Sequence, residues 1–105
     1  SMPHWRRVMQ GHAAANLMPV IAANRIGEES VEPCEENGGQ RSRLNFYGSS
    51  FLTDETGEII KSASRDAGEI LITEYDLAEL MEKRLEWGLF RDRRPEAYGI
   101  IAGKN

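Results

Sequence analysis

The sequence predicts a mixed α/β chain, and three observations carry that reading. Residues 4–16 repeat apolar side chains with helical spacing. Residues 44–75 alternate short β-branched and aromatic runs with Gly-containing turns. A second helical stretch follows behind a capping signature at Asp76. A chain of 105 residues fits one domain. The opening Ser1-Met2 reads as a tag scar and a start methionine, so the domain is taken as 3–105.

The first helix places Trp5, Val8, Met9, His12 and Ala13 on one face, with Arg6, Arg7 and Gln10 on the other. Pro3 suits the first turn, where its missing N–H costs nothing. His12 is expected to be packed or capping on the buried face. His4 and His12 stand about 12 Å apart along the axis, too far to share a metal ion.

Residues 17–26 are apolar with little alternation and read as a strand covered on both faces, closed by Gly27. Pro19 belongs near its start. Residues 28–42 are acidic and polar and read as a loop, with room for a hairpin turn at Asn37-Gly38. The single cysteine, Cys34, lies there beside Glu35, whose carboxylate opposes a thiolate, so no nucleophilic role is expected. One cysteine also excludes an internal disulfide and a multi-cysteine zinc site.

Three strands are expected next, at 44–52, 58–63 and 69–75, separated by turns at 54–57 and 65–68. Gly48 marks a bulge or a close approach within the first. Asp76, with Glu79 three residues on, caps a helix whose face carries Leu77, Leu80, Met81 and Leu85, and Gly88 ends it. The tail 89–98 joins arginines to Phe90 and Tyr98. It is either a solvated charge cluster paired through Asp92 and Glu96 or a docking segment.

Thirteen Lys/Arg against 17 Asp/Glu give a net charge of −4, which disfavours non-specific nucleic-acid binding. The longest apolar run has seven residues, where a membrane helix needs about 20, so no membrane partner is expected. No metal-ligand spacing, Gly-rich phosphate loop or Gly-x-Ser-x-Gly elbow occurs, so neither cofactor nor metal is expected. A cytoplasmic setting follows from the cysteine usage.

Several stretches resemble one family. They are His4-Trp5-Arg6-Arg7-Val8-Met9-Gln10-Gly11-His12-Ala13, Asn16, Ala23-Asn24-Arg25-Ile26-Gly27, Phe46-Tyr47-Gly48-Ser49-Ser50-Phe51, Thr56-Gly57-Glu58-Ile59 and Trp87-Gly88-Leu89-Phe90-Arg91-Asp92-Arg93-Arg94-Pro95. Together they resemble the C-terminal third of the nitrilase superfamily of carbon–nitrogen hydrolases, in the branch of the N-carbamoylputrescine amidases. The resemblance implies part of a four-layer α-β-β-α sandwich and hydrolysis of a carbamoyl or amide C–N bond. It also implies a cysteine nucleophile, a glutamate base, a lysine and a second glutamate, all N-terminal to the matched region. No catalytic residue is therefore expected in these 105 residues, and Cys34 does not inherit the nucleophile's role. The chain alone is expected to be inactive, as the C-terminal segment of an amidase. The alternatives are a non-catalytic assembly module or a degenerate remnant.

Asn24 and Arg25, at the end of the expected strand 17–26, are candidate substrate contacts, because ligands in α/β sheets sit at strand ends. Tyr47 and Ser49, the polar members of the next strand, join them. The competing reading of each is a satisfied structural hydrogen bond. Leu17, Ile21 and Ile26 would expose apolar surface on one face of their strand, so a homo-oligomer is expected, or a complement from the missing N-terminal part of the fold.

Overall fold

A computed structural model describes residues 1–102. They form the mixed α/β arrangement expected. Helix α1 spans Met2–Asn16 and is followed by β1 (Ile21–Ala22), β2 (Ile26–Val31), β3 (Ser42–Tyr47), β4 (Phe51–Thr53), β5 (Ile59–Ser62) and helix α2 (Leu77–Trp87). The chain divides into two compact units, Ser1–Glu74 and Tyr75–Asn105.

In the first unit, β1, β4 and β5 make an antiparallel sheet in the order β1-β4-β5, and β2 pairs with β3 as a separate antiparallel ribbon. Phe51, Leu52, Ala13 and Leu17 are buried and form the core, with Phe51 on the face of β4 that meets α1. Trp5 closes it, with its ring edge-on to Phe51 at 5.2 Å.

The helix is rotated from the expected face. Arg6 and Gln10 turn inward, while Val8 and His12 are exposed. Polar contacts decide this. The Arg6 guanidinium donates to the Ser49 carbonyl at 2.9 Å and to Ser62 Oγ at 2.7 Å, over the Phe51 ring. The Gln10 amide donates to the Gly57 carbonyl at 3.0 Å. His12 is therefore neither packed nor capping through its ring.

The doubly covered strand 17–26 does not form. Leu17 is the left-handed C-cap of α1 (φ 49°), and Met18 donates its N–H to the Ala13 carbonyl. Pro19 has no N–H to give, and Val20 gives its N–H to the Thr53 hydroxyl while its carbonyl takes the Thr53 N–H, so the regular strand runs only over Ile21–Ala22. Leu17 is buried and Ile26 half-buried, which leaves Ile21, 68% exposed, as the one residue of that trio in water. Gly27 does not end a run. It pairs with Phe46 inside β2 at φ 97°.

The acidic loop is shorter than expected, because β2 takes Glu28 and Glu29 into its ladder. Glu28 bonds Arg43 at 2.8 Å, Glu32 lies 3.8 Å from Arg41, and Arg25 bonds Glu29 at 2.6 Å. The connection does turn at Asn37-Gly38, with Gly38 left-handed. The strand expected at 44–52 is two strands, β3 and β4, broken at Gly48-Ser49-Ser50. The strand expected at 69–75 is absent, since no described strand lies alongside to supply its ladder. The turn at 54–57 and β5 stand as read.

In the second unit, Asp76 accepts the Glu79 N–H at 3.1 Å and caps α2, and Gly88 ends it at φ 66°. Leu80 is the buried residue of its apolar face. In the tail, Arg91 pairs with Asp92 and Arg94 with Glu96, and the Arg94 N–H reaches the Tyr98 hydroxyl.

Candidate functional site

The chain reverses from one sheet to the other through two successive left-handed residues, Gly48 (φ 52°) and Ser49 (φ 60°). Gly48 is required there. A Cβ on it would stand 2.5 Å from Ile26 Cγ2 and 3.0 Å from the Ser64 carbonyl. Backbone in this region costs about 1–3 kcal/mol per non-glycine residue and persists where its surroundings over-determine it. Every polar group of the kink is held. The Gly48 N–H donates to the Arg25 carbonyl at 2.9 Å, and the Ser49 N–H to the Ser64 carbonyl at 3.1 Å.

Asn24 is the centre of this network. Its amide Nδ2 donates to the Gly48 carbonyl at 2.9 Å, and its Oδ1 accepts the Arg25 N–H at 2.9 Å. Its own N–H donates to Ser50 Oγ at 2.7 Å. Beside the kink lies a pocket of about 150 Å³ whose polar wall is Asn24, Ser50, Ser64 and Glu69, with Gly48 and Leu71 among its other lining residues. The Ser64 N–H donates to Glu69 Oε1 at 2.8 Å. That backbone bond, with the Ser64 hydroxyl, holds the Glu69 carboxyl below the usual carboxylate range. The wall thus presents an amide, hydroxyls and one anionic carboxylate, a set that binds a polar group carrying N–H donors. Among the described residues, no group of three or more His, Cys, Asp or Glu is placed to hold a metal ion.

The four sequence candidates fall in different places. Asn24 lines the pocket. Arg25 points away to Glu29, 59% exposed, with its guanidinium 4.3 Å from the Phe46 ring. Tyr47 lies against Trp5 at 5.7 Å and under Arg65. Ser49 is 2% exposed, and its hydroxyl donates to the Tyr47 carbonyl at 2.8 Å. Tyr47 and Ser49 were expected as the polar members of one strand, 44–52. The left-handed pair breaks that strand's alternation and brings Ser50 to the pocket instead. Ser64 and Glu69 were missed because Ser64 falls between the expected strand 58–63 and the expected turn 65–68, and Glu69 was read as the first residue of a strand. The Gly48-Ser49-Ser50 run was the one local signal for a kink.

The carbon–nitrogen hydrolase family profile matches residues 1–84. The chain is 50% identical over 101 residues to an N-carbamoylputrescine amidase of Oryza sativa subsp. japonica, covering 96% of this chain and 32% of that protein. It is 49% identical over 104 residues to a citrullinase of Francisella tularensis, covering 99% and 34%. The crystal structure of a carbon–nitrogen hydrolase from Helicobacter pylori G27 superposes with a TM-score of 0.73 at 36% identity, covering 98% of this chain and 33% of that one. The chain spans about a third of the length of the curated relatives it matches.

Proposed function

Because this chain belongs to the carbon–nitrogen hydrolase family, we propose that it is the C-terminal segment of an amidohydrolase acting on N-carbamoyl amines. The observation that carries this reading is the near-50% identity, over almost the whole chain, to relatives named for N-carbamoylputrescine and for citrulline. Both compounds end in a ureido group. Water adds to its carbonyl carbon, the C–N bonds break, and the products are the amine, carbon dioxide and ammonia. For N-carbamoylputrescine the amine is putrescine, which places the reaction in polyamine biosynthesis.

In this reading the cysteine, glutamates and lysine that perform the chemistry belong to the part of the fold outside these 105 residues. This segment contributes α1, the three-stranded sheet and the kink at Gly48. Asn24 and Ser50 line a polar wall with acceptors for ureido or ammonium N–H groups. The segment alone turns over no substrate, and it works in the cytoplasm. Among the described residues, no helix is long and apolar enough to cross a membrane.

The experiment is complementation. The chain is mixed with a polypeptide carrying the N-terminal two-thirds of the rice relative, and ammonia release from N-carbamoylputrescine is followed. Turnover by the mixture and by neither part alone supports the reading. Turnover by this chain alone, or none by a folded complex, overturns it.

A second reading, a non-catalytic assembly module or homo-oligomer, draws on the large apolar residues left in water, Ile21 and Ile70 among them. Light scattering separates the two. A chain that is oligomeric alone, and stays so in the presence of the complementing polypeptide, favours assembly.

A further inference from the structure

We propose that Asn37 is a self-modifying site: its side-chain amide clasps the connection between β2 and β3, and its bond to Gly38 lets it convert to aspartate or isoaspartate whenever that clasp opens.

The amide is bonded through both of its polar atoms. Oδ1 accepts the Cys34 N–H at 3.1 Å and the Gln40 N–H at 3.0 Å. Nδ2 donates to the Glu32 carbonyl at 3.0 Å and to the Gln40 carbonyl at 3.3 Å. One side chain thus ties the end of β2 to the approach to β3, and it needs an acceptor and a donor together to do so. Asn37 closes the short helical turn Glu35–Asn37, after which Gly38 (φ 69°) and Gly39 (φ 78°) carry the chain back. The Gly38 N–H donates to the Glu35 carbonyl at 3.2 Å, and the Gly39 N–H to the Cys34 carbonyl at 3.0 Å.

The same residue carries a reactive pair. When the Gly38 nitrogen gives up its proton and attacks Asn37 Cγ, a bond forms between them, the Cγ–Nδ2 bond breaks, and ammonia leaves with that proton. Water then opens the cyclic imide at either carbonyl, giving aspartate or isoaspartate. Glycine, with no side chain, obstructs the attack least. Asn37-Gly38 is the one Asn-Gly pair in the sequence, and Asn16, Asn24 and Asn45 are followed by Leu17, Arg25 and Phe46. The folded connection opposes the reaction from both sides. The attacking N–H is engaged by Glu35, and the carboxamide is pinned at Cys34, Glu32 and Gln40.

Conversion undoes the clasp in one direction. A carboxylate has no N–H to give. It still accepts from Cys34 and Gln40, but its second oxygen faces the Glu32 and Gln40 carbonyls, in a segment that already carries Glu35 and Glu36. Acceptor against acceptor leaves each short of a donor. The connection therefore loosens from its tip, while the base of the ribbon keeps the Gly48 N–H on the Arg25 carbonyl.

The test follows the whole chain in mildly alkaline buffer, folded and in urea, with digestion at intervals and mass analysis of the peptides. In urea the peptide with Asn37 gains the mass of an amide turned acid and splits into aspartate and isoaspartate forms, while Asn16, Asn24 and Asn45 stay intact. In the folded chain the conversion is slower by about tenfold or more, and by the same factor as hydrogen exchange is slowed at the Gly38 and Gly39 amides. Gln40→Pro removes one donor to Oδ1 and moves the folded rate toward the rate in urea. Asn37→Asp displays the product directly. Its Gly38 and Gly39 amides exchange freely, while those of β4 and β5 keep their protection. Equal rates in the folded chain and in urea mean that the clasp does not guard the site and overturn the proposal, as does an Asn37 that stays intact in urea. Gly38 and Gly39 amides as protected in Asn37→Asp as in the parent chain overturn it too, because the amide is then no clasp.

Discussion

The Arg6 guanidinium donates to the Ser49 carbonyl across 2.9 Å, so the first helix grips a left-handed serine 43 residues further along the chain. The same group bonds Ser62 Oγ and lies 5.2 Å from the centre of the Phe51 ring, joining α1 to β5 and the kink at one point. Among the described residues, Arg6 Nε is buried without a hydrogen-bond partner.

Replacing Arg6 with Met keeps the stem and removes both bonds. The expected loss is about 1–3 kcal/mol of stability, read as a lower urea midpoint with an unchanged slope. Arg6→Lys recovers less than half, because one ammonium cannot match the planar fork. A Met variant as stable as the parent would remove Arg6 from the account of the kink.

Gly48→Ala puts a methyl 2.5 Å from Ile26 Cγ2 at a positive φ. A loss of about 2 kcal/mol or more is expected from clash and backbone strain together. Ile26→Ala relieves the clash but not the strain, so the double variant should be more stable than the sum of the single losses allows. Thermal melts of the four proteins complete that cycle. Strict additivity would mean that the two positions do not touch.

Asp54 is expected to contribute to an acid transition. Partial burial pushes its carboxyl up, but the Thr56 hydroxyl and the N–H groups of Thr56, Glu58 and Gly57 outweigh that and hold it below the usual range. A carboxyl with a lowered folded-state pKa stabilises the fold above its unfolded value, near pH 4, and loses that contribution as the pH falls through the folded one. Melting temperatures should therefore drop below about pH 4. Asp54→Asn should start lower at neutral pH and show a flatter acid limb. Parallel acid limbs in the two proteins would discharge Asp54.

In a reconstituted amidase, Asn24→Ala should raise KM several-fold for N-carbamoylputrescine as well as lower stability, since Asn24 lines the pocket. Arg25→Ala should leave KM unchanged, because its side chain is turned outward to Glu29. Steady-state kinetics on both variants decides. An unchanged KM for Asn24→Ala would make that residue purely structural.

The elements whose causes are local were legible in the sequence. Asp76 and Glu79 announce the start of α2, Gly88 its end, and Asp54-Glu55-Thr56-Gly57 a turn. Helix α1 was legible in extent but not in rotation. Arg6 and Gln10 face inward because of carbonyls on Ser49 and Gly57, more than 40 residues away, which no helical periodicity encodes. The hairpin of β2 and β3 was legible at its turn, Asn37-Gly38, but not in its extent, because its glutamates are solvated cross-strand partners rather than an apolar stripe. At the site, Asn24 was legible as a residue near a strand end. Ser50, Ser64 and Glu69 were not, because their convergence depends on the two left-handed residues at 48 and 49.

The turn at Gly57 lies directly beneath α1, where a Cβ would stand 2.6 Å from the Gln10 carbonyl. Hairpin tips are ordinarily where a polypeptide accepts insertions, tags and nicks, but this one has no clearance above it. The opposite holds for the connection between β2 and β3, which is exposed and carries the sole thiol, Cys34. A fluorophore, affinity handle or grafted loop therefore has one natural address on this chain, at 33–41. A label attached there sits outside the wall that Asn24 builds.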